Sequence, residues 1–225
     1  MSKVSDNENF TRAAQAWLGV PVDGWAGIKT MAAFIEKTGQ NGMRGVHTLK
    51  DPAAFFAHIR GKLGALDQDQ VNGFNDLLTA MSPWSLYDAA YGLATAWWET
   101  NKTMQPVREA YWLSEDWRKK NLRYYPWYGR GYVQLTWDYN YQKADDELGL
   151  GGDLFADPDL AMKADIAAQI MVRGMDEGWF TGKKNSDYAG RDYVARRKMI
   201  NGTDHDDDIA SIAEIMEAAL TAGGW

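Results

Sequence analysis

The stretch LYDAAYGLATAWW, residues 86–98, decides the fold of this chain. Placed on a helix, it is apolar around nearly its whole circumference, which is typical of a helix buried on all sides. The stretch therefore predicts the central helix of a mainly α-helical domain, against which the other helices must pack.

Most segments on either side show apolar residues at the spacing of an amphipathic helix. Asp51 followed by Pro52 is typical of an N-cap and a proline at the first helical position. The predicted surrounding helices are residues 53–63, 67–81, 140–148, 165–177, 192–200 and 207–220. Strand patterns are few, and the best candidate is YVQLT, residues 132–136. The sequence thus predicts a mainly α fold with a minimal β element and a long irregular segment over residues 100–141.

The composition favours a folded, acidic protein. The chain has 225 residues, of which 45% are apolar, and a net charge of −7, which argues against a nucleic acid partner. It has no cysteine, so disulfides and thiolate metal sites are excluded. No run approaches the roughly 18 apolar residues of a transmembrane helix, and MSKVSDNENF at the start lacks the apolar stretch of a signal peptide. We therefore expect a cytoplasmic monomer without stable membrane association.

Two basic clusters stand out against this acidic background. They consist of Arg118, Lys119, Lys120, Arg123 and Arg130, and of Lys183, Lys184, Arg191, Arg196, Arg197 and Lys198. The ordinary interpretation is that both are solvated faces. The sharper hypothesis is that they form two walls of a cleft for a weakly anionic polymer.

Two acidic residues, Glu99 and Glu109, lie in segments with different predicted environments. Glu99 ends the apolar helix, where burial against tryptophans and the negative end of the helix dipole both favour a protonated carboxyl. Glu109 lies beyond Pro106 and beside Arg108, a cation that should keep it ionised. Two carboxyl groups in opposed environments are typical of a glycosidase, although surface charge is the ordinary interpretation of any acidic pair.

The segment YGRGYVQLTWDYNY, residues 128–141, closely resembles the Y-G-R-G-x-x-Q-L-[ST]-x-x-x-N-Y signature of glycoside hydrolase family 19. That family holds plant-type chitinases and a set of bacteriophage endolysins. The resemblance continues in ING (200–202), while WFTGKK (179–184) and the terminal helix look like phage members. It spans about residues 51–223 and implies a lysozyme-like, chitinase-like α-helical catalytic domain, which we place at residues 46–225.

The resemblance also implies roles for single residues. Glu99 matches the general acid, and Glu109 matches the second catalytic carboxylate at the short spacing of phage lysozymes. Thr136 matches the hydroxyl residue that helps to hold the attacking water. The family inverts configuration at the anomeric carbon, so Glu109 is expected to act as the base. One departure is Trp98, which stands where the family usually has a histidine before the acid.

Candidate substrate-binding residues come from two sources. The resemblance implies that three amides contact the substrate, namely Gln134, Asn140 and Asn201. Eight aromatic residues fall between Tyr124 and Tyr141, and we expect half of them to be core. The aromatic candidates for a floor beneath the sugar rings are Trp127, Tyr128 and Trp137.

The N-terminal part forms a unit of its own. Residues 15–30, QAWLGVPVDGWAGIKT, are similar to the peptidoglycan-binding helical repeat with its core L-G-x-x-V-D-G-x-x-G-x-x-T. Helices are predicted over residues 10–18 and 29–36, and a Gly- and Asn-rich linker over 39–45. We expect residues 1–45 to be a wall-binding module, and the alternative is a small helical appendage.

The sequence indicates neither a metal nor a cofactor. His47, His58 and His205 are widely separated and form no H-E-x-x-H motif. The acidic run at residues 204–208 lacks the spacing and the glycine of an EF-hand, and an acidic helix N-terminus explains it better. The GRG turn at residues 129–131 does not have the pattern of a phosphate-binding loop.

The leading hypothesis is an endolysin, a muramidase whose partner is bacterial peptidoglycan. It would stay in the host cytoplasm until a holin opens the membrane. A chitinase is the alternative within the same class, and a catalytically silent wall-binding protein is the alternative from another class. The joint presence of Glu99, Glu109, Thr136 and Asn140 argues against the silent protein.

Overall fold

The computed structural model describes residues 6–19, 22 and 47–225, and the chain divides into two compact units, Met1–Val46 and His47–Trp225. The described part of the first unit contains helix α1, Asp6–Leu18. The helix predicted over residues 29–36 and the linker over 39–45 lie outside the described residues. Whether the first unit is a wall-binding module thus stays a prediction.

The second unit is helical with two very short strands. Its helices are α2 Pro52–Leu63, α3 Gln68–Ala80, α4 Leu86–Glu99, α5 Glu115–Asn121, α6 Asp138–Leu148, α7 Asp153–Ala156, α8 Ala164–Glu177, α9 Tyr193–Arg196 and α10 Asp206–Ala222. Three-residue to five-residue 3-10 turns cover Pro158–Met162, Asn185–Asp187 and Arg197–Met199. This confirms the predicted mainly α fold with a minimal β element, and it is consistent with a lysozyme-like arrangement. Throughout the described ranges, no helix is long and apolar enough to cross a membrane.

Helix α4 is the centre of this unit, as its sequence predicts. Every residue from Ala89 to Trp97 is buried, and the C-terminal helix α10 packs along both α4 and α2. The core around α4 includes Phe55, Ile59, Phe74, Leu77, Leu93, Met171 and Leu220. The burial of α4 fixes where its last residue, Glu99, emerges.

The helix ends follow local signals in the sequence. The Asp51 side chain accepts a hydrogen bond of 2.9 Å from the backbone N–H of Ala54, with Pro52 in the first turn. Asp67 and Gln70 form a capping box at the start of α3. The helix predicted over residues 192–200 is instead α9 followed by a 3-10 turn.

Two strands, β1 (Val107–Arg108) and β2 (Arg130–Gly131), form an antiparallel sheet. The strand predicted over residues 132–136 is wrong. Arg130 and Leu135 exchange backbone hydrogen bonds of 3.2 and 2.9 Å, which closes residues 132–134 into a turn. The apolar side chains in this segment are buried within the turn, so their pattern reflects packing and not an extended strand.

Candidate active site

A polar pocket of about 360 Å³ lies where the end of α4, the segment after β1 and the turn after β2 meet. Its walls are formed by Glu99, Glu109, Tyr124, Val133, Gln134, Thr136, Ile200 and Asn201. The fold therefore brings together all three residues predicted to be catalytic and two of the three predicted amides.

Glu99 has a cationic partner that the sequence did not reveal. Its Oε1 atom accepts a hydrogen bond of 2.7 Å from Nη1 of Arg197, whose side chain is only 3% exposed. Nε of Arg197 donates in turn to the carbonyl oxygen of Asp204 at 2.7 Å. The neighbouring Trp98 packs its ring on His205, with 4.8 Å between the ring centroids. The sequence predicted burial against tryptophans and the negative end of a helix dipole for Glu99, and the structure adds an ion pair with Arg197.

Glu109 is held by neutral donors. Its Oε1 atom accepts a hydrogen bond of 2.6 Å from the Tyr124 hydroxyl, and its Oε2 atom accepts one of 3.0 Å from the backbone N–H of Gly129. Arg108, which the sequence suggested as its cation, pairs with Asp159 at 2.7 Å instead. The predicted cationic partner of Glu109 is therefore wrong, because the Arg108 side chain pairs with a different carboxylate and does not line the pocket.

The segment that carries Glu109 is fastened by a buried arginine. Arg118 donates from Nε to the carbonyl oxygen of Glu109 and from Nη2 to that of Ala110, both at 2.8 Å. Burial and the hydrogen bond to Glu109 also raise the pKa of Tyr124 to about 12. The Tyr124 hydroxyl consequently stays protonated and donating across the physiological pH range.

Thr136 and the predicted amides form one hydrogen-bonded group. The Thr136 hydroxyl donates to the carbonyl oxygen of Gln134 at 2.7 Å, and the Asn140 amide donates to the carbonyl oxygen of Thr136 at 2.8 Å. The Gln134 amide donates to the carbonyl oxygen of Val107 at 3.0 Å. Asn140 thus holds Thr136 in place and does not line the pocket, whereas Gln134 and Asn201 line it.

Tyr128 does not form a floor for sugar rings, which corrects the sequence prediction. It is 1% exposed, its hydroxyl donates to Glu115 at 2.9 Å, and the guanidinium of Arg130 lies 3.7 Å from its ring centroid. A ring covered in this way has no face left for a ligand.

The other two aromatic candidates lie outside the pocket wall. Trp127 stacks on Phe155 at 4.9 Å between centroids, and its indole N–H donates to the carbonyl oxygen of Phe155 at 3.2 Å. Trp137 is half-buried and packs edge-on against Tyr124 at 4.9 Å. Trp137 therefore contacts a residue of the pocket wall, Tyr124, but does not line the pocket itself.

The basic clusters are neither solvated faces nor cleft walls as a whole, because four of their arginines are buried. These are Arg118, Arg130, Arg196 and Arg197. Each guanidinium donates to carbonyl or carboxylate oxygens of neighbouring segments, which is the usual condition for burying this group. The lysines of both clusters stay exposed.

Sequence reasoning missed Tyr124 and Arg197. Tyr124 was one of eight aromatics in its segment, and no spacing distinguishes it from the others. Arg197 belongs to a basic cluster for which the sequence leaves a solvated face and a cleft wall as alternatives, although its position three residues before the ING segment was a usable signal. Both residues reach their carboxyl partners only through the tertiary fold.

A helical fold that brings two differently held carboxyl groups to one polar pocket is an arrangement that glycoside hydrolases use. Comparison with protein families agrees, since the model described as Glyco_hydro_19, Chitinase class I, matches residues 84–194. This match includes Glu99, Glu109 and Thr136 and ends before Asn201. It supports a glycoside hydrolase family 19 domain within the second unit.

Two curated plant relatives match shorter segments. Endochitinase At2g43610 of Arabidopsis thaliana is 35% identical over 77 residues, which are 34% of this chain and 25% of the relative. Chitinase 11 of Oryza sativa subsp. japonica is 54% identical over 43 residues, which are 19% of this chain and 16% of the relative. The aligned part is thus a quarter or less of each relative's length.

Proposed function

We propose that this protein is an endolysin that hydrolyses the β-1,4 bonds of peptidoglycan between N-acetylmuramic acid and N-acetylglucosamine. The observation that carries the proposal is the pairing of Glu99 and Glu109 in one polar pocket, each carboxyl fixed by different partners. The reaction is an inverting hydrolysis, for which the two carboxyl groups must stand roughly 6.5–9.5 Å apart to admit a water.

Glu99 is the general acid that protonates the leaving glycosidic oxygen. Arg197 holds its Oε1 atom, so the proton is transferred from Oε2, which has no hydrogen-bond partner among the described residues. Once the proton has left, the carboxylate is charged, and the guanidinium stabilises that product state. The ion pair therefore favours the end of the proton transfer.

Glu109 is the base that activates the attacking water. Tyr124 and Gly129 each occupy one lone pair on its oxygens and leave others to accept a proton. Because the Thr136 hydroxyl donates to the carbonyl oxygen of Gln134, its own oxygen accepts a hydrogen bond from the water. The water donates one hydrogen bond to Glu109 and the other to Thr136, and a lone pair of its oxygen then points at the anomeric carbon.

Three features favour peptidoglycan as the substrate. Residues 15–30 resemble a peptidoglycan-binding repeat, the chain has no cysteine for the disulfide-bearing loops of plant chitinases, and Glu99 and Glu109 are only ten residues apart. The second candidate is a chitinase, which the printed names of both plant relatives favour. We further propose that this endolysin is a monomer and that it stays in the host cytoplasm until a holin opens the membrane.

Release of reducing ends from purified peptidoglycan and from chitin oligomers tests the proposal. We expect faster release from peptidoglycan, a first product of inverted configuration by proton NMR, and a loss of about 10²–10⁴-fold in Glu99→Gln with unchanged circular dichroism. Faster turnover of chitin would assign the chitinase. No release from either polymer would leave a wall-binding protein, and a Glu99→Gln variant that keeps more than about a tenth of the activity would exclude Glu99 as the acid.

A further inference from the structure

Two arginines of the second unit, Arg60 and Arg123, have no acidic partner. Within residues 47–225, seven arginines form a salt bridge with a carboxylate, whereas these two form none with any residue of that range. Both side chains are exposed, and each guanidinium lies near an aromatic ring. The Cζ atom of Arg60 is 5.6 Å from the ring centroid of Phe56, and that of Arg123 is 4.9 Å from that of Trp137. Their positive charges therefore remain available to a ligand.

The contacts of Arg123 place its charge at the edge of the candidate active site. The Trp137 ring beneath the guanidinium packs edge-on against Tyr124, with 4.9 Å between the ring centroids, and Tyr124 is part of the pocket wall. Burial and the hydrogen bond to Glu109 raise the pKa of the Tyr124 hydroxyl, whereas the positive charge of Arg123 lowers it. The guanidinium is thus near enough to act electrostatically on a hydroxyl of the pocket, although it does not line the pocket itself.

The residue that supports Arg123 is firmly held by its backbone. The N–H group of Trp137 donates to the carbonyl oxygen of Trp127 at 2.8 Å. The carbonyl oxygen of Trp137 accepts hydrogen bonds of 3.1 Å from the backbone N–H groups of Asn140 and Tyr141. A guanidinium over a fixed aromatic ring loses less freedom when it binds a ligand than one on an unsupported side chain. Arg123 is therefore both exposed and preorganised.

The charges around the pocket favour an anionic group beside Arg123 and not inside the pocket. The pocket contains the carboxyl groups of Glu99 and Glu109, and the whole chain has a net charge of −7, so both repel an anion. An acidic polymer therefore needs a local cation in order to bind here. An unpaired arginine next to the pocket supplies that cation, and its planar set of N–H donors matches the geometry of a carboxylate.

We propose that Arg123 binds a carboxylate of the peptide stem on the muramic acid units of peptidoglycan, and thereby selects this polymer over neutral chitin. The identity of the polymer rests on the proposed function, whereas the recognition of a carboxylate rests on the unpaired guanidinium beside the pocket. A glycan whose scissile bond lies in the pocket extends past its walls, because about 360 Å³ holds only a short part of such a polymer. Arg123 holds a side group of the bound glycan and takes no part in bond cleavage.

Two forms of one ligand test this pairing. N-acetylglucosaminyl-N-acetylmuramyl-L-alanyl-D-isoglutamine carries a free carboxylate, and the same compound with that group amidated is neutral. Both are titrated into the full chain carrying Glu99→Gln, which does not cleave them, and the NMR signal of the Trp137 indole N–H gives the Kd. We expect the acidic form to bind about threefold to fivefold more tightly, as one exposed ion pair predicts. Adding Arg123→Gln should reduce this ratio to about one, whereas Arg123→Lys keeps the charge and should retain a ratio of about two.

Arg60→Gln is the matched control, because it also removes an exposed, unpaired guanidinium near an aromatic ring, but on α2. It should leave the ratio of the two Kd values unchanged, and circular dichroism should show that all variants fold normally. Equal binding of the acidic and amidated forms to the chain with Arg123, or an unchanged ratio in Arg123→Gln, overturns the proposal. Because the readout does not require cleavage, a ratio that depends on Arg123 without any hydrolysis of peptidoglycan by the original chain rejects the proposed function and keeps the carboxylate site.

Discussion

The two carboxyl groups of the pocket differ in their immediate partners. Glu99 has a charged partner in Arg197, and Glu109 has neutral ones in Tyr124 and Gly129. An acid gains from a partner that stabilises its deprotonated product, whereas a base must leave lone pairs free to accept a proton. Single hydrogen bonds therefore distinguish two chemically identical side chains.

Substitutions of Thr136 test the proposed position of the attacking water. Thr136→Ser keeps the hydroxyl that accepts from the water, so its kcat on purified peptidoglycan should stay within about threefold of the original. Thr136→Val keeps the shape and loses the hydroxyl, and its kcat should fall about a hundredfold. If Thr136→Val turns over at the original rate, the hydroxyl does not hold the attacking water.

At the scale of elements, the glycine of the turn before β2 allows two segments to approach closely. A Cβ atom on Gly129 would lie 2.7 Å from Oε1 of Gln134 and 3.3 Å from Cβ of Glu109. The backbone N–H of Gly129 also donates to the carboxylate of Glu109. The carboxylate of Glu109, the proposed base, therefore reaches its position only if these segments approach each other this closely.

Gly129→Ala should therefore lower kcat at least tenfold and destabilise the domain by about 1–3 kcal/mol, as overpacking usually does. Gly61→Ala is the control, because Gly61 is in α2 and a Cβ there meets nothing within 4 Å. That control should stabilise the protein by about 0.5–1 kcal/mol and leave kcat unchanged. Urea unfolding and turnover of purified peptidoglycan measure the two effects, and a fully active Gly129→Ala would contradict the argument.

Helix α9 and the following turn are fixed to α4 by two consecutive arginines. Arg196 pairs with Asp88 near the start of α4, and Arg197 pairs with Glu99 at its end. Asp88→Ala leaves the buried Arg196 without its carboxylate and should cost about 3 kcal/mol in urea unfolding. Gln142→Ala, which removes an exposed contact on α6, should change stability by less than about 0.5 kcal/mol. Equal stability of the two variants would show that the Arg196 pair does not anchor α9.

At the scale of the whole molecule, the division between the two units leads to a prediction about binding. Deleting residues 1–45 should leave a folded domain that cleaves soluble peptidoglycan fragments at the original rate, because every wall residue of the proposed active site lies in the second unit. The truncated protein should pellet less with insoluble peptidoglycan. Equal pelleting of both forms would make the first unit an appendage, and pelleting with cellulose controls for trapping.

The sequence by itself determined the helical class and the position of the central helix, and the family resemblance pointed to five of the residues that line the pocket. Periodicity and capping are local properties, so α4 and the start of α2 could be predicted from neighbouring residues alone. The resemblance of residues 128–141 to the family signature, and not periodicity or capping, pointed to Thr136 and Gln134. Local patterns failed at residues 132–136, because Tyr132, Val133 and Leu135 are buried in a closed turn, and such apolar residues with a high strand propensity also suit a strand.

Only the tertiary structure decided what each functional group touches. Arg197 is 98 positions from Glu99 and Arg196 is 108 positions from Asp88, distances over which no periodic pattern carries information. The packing of the helices also buries Tyr128, which therefore cannot bind a sugar ring, and it buries four arginines of the basic clusters. The physical reason is that the sequence pattern of a helix indicates which face is apolar. The residues that its side chains contact depend on how all the helices pack together.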